Sequence, residues 1–180
     1  MLKLGVELRR RKNKLFNYKL IGLLNISRSS TGEYVIEYFG KKWVFYIYLC
    51  RKTNSTLQAE VSAIEKSISG IFSLIPNTLI KTFFSIIQGT LHFLIHRDKF
   101  RKARNKGLFL SMLILGKDQL KEVIDELEEH FNKCNQYYLV IIDPLEKPVL
   151  TNCYSVDYEC GVNEINVDIL KNIYVLLDKL

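Results

Sequence analysis

The sequence predicts an α+β (α/β) fold, a mixed β-sheet packed against several helices in a single domain, and three observations predict it. Residues 33–39 and 43–49 are rich in aromatic and β-branched side chains and flank Gly40, Lys41 and Lys42, the pattern of a hairpin. Leu57, Val61, Ile64 and Ile68 recur at helical spacing, and 118–131 shows the same period with charges on its outer face. Residues 138–142 are apolar at nearly every position and too few for a helix, which suits a central strand covered on both faces. A chain of 180 residues suits one domain with a proper core, and a hydrophobic content of 48% excludes intrinsic disorder.

The elements follow in order. Residues 1–14 form a basic lead-in, 15–24 a strand, and 27–32 a segment of turn formers before the hairpin. Ser55 is the expected N-cap of a helix over 55–69, and Gly70 ends it. A short buried strand over 71–75 stops at Pro76, and Asn77 is expected to cap a long apolar helix reaching Ile95. A basic connector (Arg97, Lys99, Arg101, Lys102, Arg104, Lys106) leads to an apolar helix over 106–115, a break at Gly116 and an amphipathic helix over 118–131. Asn166 should cap a last helix with Ile169, Leu170, Ile173 and Leu177 inward. Residues 1–40 thus read as a partly ordered basic extension and 41–180 as the domain proper.

Charge and chemistry narrow the function. The first 60 residues hold 12 Lys and Arg against 4 Asp and Glu, so the net charge of +7 resides at one end of the chain. A basic face for nucleic acid and a solvated tail both fit that imbalance. Cys50, Cys134, Cys153 and Cys160 form no CxxC pair, and free thiols in a reducing, intracellular compartment are the expectation. The apolar run over 71–95 is interrupted by Asn77, Lys81, Gln88 and His92, which favours a buried segment over a membrane anchor. His92 and His96 share a helix face at zinc-ligand spacing, but Phe93 stands where a metalloprotease carries its glutamate, and no third ligand suggests itself. No Walker, GxGxxG or GxSxG motif occurs. The expectation is a binding subunit with no catalytic residues, cofactor or metal. Six cations within ten residues around Phe100 suit phosphates as well as a solvated linker.

The order of residues 70–127 resembles the PRPK-kinase-binding (TPRKB-type) subunit of the KEOPS/EKC complex. It runs through Ile71 to Asn77, a long helix, Lys102-Ala103-Arg104, the apolar helix to Leu115, Gly116, Gln119-Leu120 and Glu122-Val123-Ile124. The tail from Asn163 to Tyr174 is similar to the family's closing Glu-Ile plus Lys-Ile-Tyr helix, and the likeness spans about residues 40–180. Phe109 stands where the family carries glutamate and Leu115 where it carries serine. The resemblance implies a non-enzymatic subunit that binds a small atypical PRPK-type kinase and other KEOPS subunits. It also implies help in holding tRNA for threonylcarbamoyladenosine formation at position 37. Nuclear and cytoplasmic localisation would follow in a eukaryote, with no membrane partner. On this reading Arg101, Lys102, Arg104, Lys106, Lys117 and Gln119 meet tRNA, and Leu120, Val123, Ile124 and Leu127 meet the kinase. The alternative is an unrelated basic nucleic-acid-binding module.

Overall fold

A computed structural model of the chain describes residues 18–20, 24–30, 32–156 and 175–179. The fold is α+β, as expected, but every described strand pairing is antiparallel where a mixed sheet was predicted. The strands are β1 (Tyr18–Leu20), β2 (Leu24–Ser30), β3 (Glu33–Tyr38), β4 (Lys41–Arg51), β5 (Ile71–Pro76), β6 (Gln136–Ile142) and β7 (Cys153–Ser155). Their order across the sheet is β1-β2-β3-β4-β6-β5, with β7 also on β4.

The β3–β4 hairpin is tighter than its sequence suggests. Tyr38 pairs with Lys41, so Phe39 and Gly40 alone make the turn, at φ values of 47° and 74°. Positive φ at both positions gives the twist that adjacent strands need, and it draws Lys41 and Lys42 into the strand. The predicted strand over 15–24 is instead represented by two strands, β1 and β2, and the predicted turn over 27–32 lies largely within β2. Pairing with β1 on one side and β3 on the other overrides the turn propensity of its serines. A boundary at residue 40 would cut the hairpin, because Tyr34 and Ile36 of β3 share a core with Phe45 and Ile47 of β4.

Strand β4 organises the sheet. One edge pairs with β6 along 45–51; the other pairs first with β3 and then with β7. Between those two partners, Ile47 N donates to Gly32 O at 2.9 Å. Alternate residues of β4 point to opposite faces. Phe45 and Ile47 join Ile75, Val140 and Ile142 in one core cluster, while Tyr46, Tyr48 and Cys50 join Leu74, Leu139 and Ile141 in another.

Helices cover both faces. The first cluster is closed by α2 (Phe83–Ile95) and α3 (Lys106–Leu115), the second by α1 (Leu57–Ser67). Helix α4 (Leu120–Lys133) serves both, with Val123 and Leu127 in the first cluster and Phe131 in the second. Two predicted caps are corrected. Thr56, not Ser55, caps α1 by accepting from Ala59 N at 3.3 Å. Asn77 opens a 3₁₀ turn to Leu79, and α2 begins only after Thr82, because Leu79 and Ile80 are used to pack against the first cluster. Helix α3 lies close to its neighbours. A Cβ on Gly89 would stand 2.5 Å from Ile114 Cα, one on Gly107 would stand 2.0 Å from Phe72 O, and buried Ser73 and Ser111 hydroxyls bond at 2.7 Å.

The expectation of free thiols fails at two positions. Cys50 and Cys153, 103 residues apart, are bridged as directly opposed residues of β4 and β7. Cys134 is free and buried, while Cys160 and the cap at Asn166 lie outside the described residues. Residues 175–179 are helical, with Leu176 and Leu177 buried. No described helix is long and apolar enough to cross a membrane.

Candidate nucleic-acid interface

The connector between α2 and α3 is held down by an aromatic side chain. After Ile95 the chain forms a 3₁₀ turn, Arg97–Phe100, and Phe100 is 1% exposed. Its ring stacks on Phe93 at 5.0 Å and meets Phe109 at 5.5 Å. The two flanking cations of the turn are engaged: Arg97 pairs with Asp143 at 2.5 Å, and Lys99 donates to the Leu177 carbonyl. With Phe100 inward and Ala103 partly buried against the core, Arg101, Lys102 and Arg104 are left exposed and Lys106 half-buried. None of these four forms an ion pair with a described residue. Asn105 caps α3 by accepting from Leu108 N at 3.0 Å, so the cations sit around a helix start whose N–H dipoles also favour anions.

The expected tRNA set does not converge. Lys117 lies past the other end of α3, about 15 Å away along the helix axis. Its ammonium bonds Glu122 at 2.5 Å and Glu126 at 3.0 Å. The bond to Glu122 raises its pKa against the opposing effect of burial, so Lys117 is paired with carboxylates of the helix that follows it rather than offered to phosphate. Gln119 is exposed, precedes α4 and makes no capping bond with its amide. Asp118 beside it is held below its ordinary pKa by Lys179, a partner that sequence spacing does not reveal.

The expected kinase stripe divides as well. Val123 is fully buried and Leu127 is 4% exposed, because positions 123, 127 and 131 form the inward row of α4. These two are core residues, a correction to their interface assignment. Leu120, at 44% exposed, and half-buried Ile124 occupy the flank of the helix and remain accessible.

His92 and His96 stack at 6.1 Å, as their spacing predicts. Burial, with His96 as a second cause, pushes the His92 pKa down to about 4. Among the described residues no group of three His, Cys, Asp or Glu gathers as metal ligands would. Thr78 Oγ1 meets His130 Nδ1 at 2.9 Å, but no described carboxylate bonds that imidazole. A feature missed in the sequence is Glu60, 2% exposed on α1, which accepts from Thr53, Asn54 and Tyr137. The fold and this surface together define an α+β domain carrying an anchored cationic loop. No family model matches the chain, and no curated protein matches it.

Proposed function

We propose that this chain is a non-catalytic subunit of a KEOPS/EKC-like complex, binding its small atypical kinase and helping to hold tRNA for threonylcarbamoyladenosine formation. It would work inside the cell, in nucleus and cytoplasm in a eukaryote, without a membrane partner. The observation that supports this reading best is the set of exposed Arg101, Lys102 and Arg104 with half-buried Lys106, none in an ion pair with a described residue, on a loop fixed by buried Phe100. Phosphates are held by such charges, and affinity falls with salt in proportion to the number of contacts. Gln119 offers a donor and an acceptor to an unpaired base edge, while Leu120 and Ile124 supply apolar surface for the kinase.

Binding to a tRNA transcript across a salt series tests the proposal. Arg101→Ala with Arg104→Ala should weaken binding and lower the salt slope by up to about two units. Lys117→Ala, already paired, should change the slope little. A chain lacking residues 1–14 is the control. If that deletion abolishes binding while the double variant binds normally, the connector is a solvated linker and a separate basic nucleic-acid module becomes the better reading.

A further inference from the structure

The Cys50–Cys153 bridge joins two elements of unequal anchorage. Cys50 is fully buried in β4, a strand paired along both edges. Cys153 is half-buried and opens β7, which has only three residues and among the described strands pairs with β4 alone. The chain leading into β7 is lightly held. Leu145 and Val149 are each 88% exposed; Leu150 alone of this segment packs against the second core cluster, and the described hydrogen bonds on either side are single ones: Leu145 N to Ser69 Oγ at 2.9 Å, Arg51 N to Asn152 O at 2.9 Å, and Tyr34 OH to Val156 O at 3.0 Å. Arg51 also lies 5.8 Å from the Tyr154 ring. Between β4, β7 and this segment lies an open cleft of about 350 Å³, lined by Tyr48, Lys147, Pro148, Val149, Leu150 and Ser155.

We propose that this bridge is a redox latch, closed to hold β7 and residues 144–152 on β4 and opened by a small thiol to release them. The inference rests on the position of the bridge and not on the function proposed above. Opening begins at the reachable sulfur. A thiolate such as that of glutathione attacks Cys153 Sγ, the S–S bond breaks, and Cys50 leaves as a thiolate that takes up a proton. A second thiolate attacks the small-molecule sulfur of the mixed disulfide, releasing Cys153 as a thiolate and the small thiol as its disulfide. Two electrons pass from the thiol couple to the cysteine pair, and the oxidised couple reverses each step. Release would uncover the backbone edge of β4 at 48–50 together with Tyr48, which is 8% exposed while the latch is closed. A three-residue strand cannot be expected to hold that edge by its backbone bonds alone.

The full chain is equilibrated in glutathione couples from fully reduced to fully oxidised. Alkylation with mass detection then scores Cys50 and Cys153, and amide hydrogen exchange is followed by peptide. The expected result is a reversible pair whose reduction speeds exchange in peptides covering 48–51 and 150–155 at least tenfold, leaving 71–76 and 136–142 unchanged. Cys153→Ser should match the reduced protein in every couple, and Cys134→Ser should still respond. Three results would overturn the latch: thiols that stay alkylatable in the oxidised couple, identical exchange in both states, or reduction that speeds exchange throughout the sheet. The reduced wild-type protein carries the test should the serine variant fail to fold.

Discussion

Glu60 shows how one side chain fixes a corner of the fold. Its carboxylate is removed from water, which alone would raise its pKa, yet bonds from Asn54, Tyr137 and Thr53 hold it below the ordinary value. The Tyr137 hydroxyl donates at 2.8 Å and is itself pushed far upward by burial and by this carboxylate. Because the folded pKa lies below the unfolded one, Glu60 stabilises the protein fully above the ordinary carboxylate range, and that contribution disappears as pH falls through the folded value. Glu60→Gln should therefore cost about 1–3 kcal/mol at neutral pH and show a flatter acid limb, read from denaturant midpoints against pH. On α4 the residue scale separates core from surface. Val123→Asp should unfold the protein, since it places an unpaired charge at a fully buried position. Leu120→Asp should leave a folded protein that does not bind the proposed kinase partner, by circular dichroism and co-purification. A folded Val123 variant would restore that residue to the interface.

At the scale of elements, the α2–α3 contact turns on Gly89. Replacing glycine by alanine inside a helix ordinarily stabilises it by about 0.5–1 kcal/mol. Here the new methyl would press on backbone atoms of Ile114, which cannot swing aside as the end of a flexible side chain could. Gly89→Ala should therefore destabilise, by about 1–3 kcal/mol, with the sign of the change in urea midpoint deciding the matter. Elements whose local signals agreed were legible in the sequence. Helix α3 stands over 106–115 where periodicity and punctuation place it, and the aromatic hairpin and the apolar β6 exist as expected, though the hairpin turn shifts to Phe39 and Gly40 and β6 starts two residues earlier. The start of α2 was not, because Asn77 carries a good cap signal while Leu79 and Ile80 are claimed by the core beyond it. The pairing of Cys50 with Cys153 was invisible for a related reason: spacing along the chain says nothing of which strands become neighbours.

For the whole molecule, the cation loop was legible as a run of charge, but not its internal division. Only the folded chain separates Arg97 and Lys99, engaged by Asp143 and by the Leu177 carbonyl, from Arg101, Lys102 and Arg104, which face solvent. The same holds for Lys117, whose acidic partners lie on the helix that follows it. Sheet order was the least legible feature, because β4 takes its inner partner from β6, far along the chain.

That arrangement has a consequence for how the protein is made. When β4 leaves the ribosome, only its β3 edge has a partner, and the segment from Phe45 to Tyr48, apolar on both faces, stands without β6 beside it. At about 5–20 residues per second, β6 follows several seconds later, and β7 later still. Sheets closed by such distant pairings also fold slowly, on the order of milliseconds to seconds. The nascent chain thus passes through a prolonged interval with an aromatic strand edge open to other chains, and its yield in cells should depend on chaperones that shield β4 until the last third of the protein has emerged.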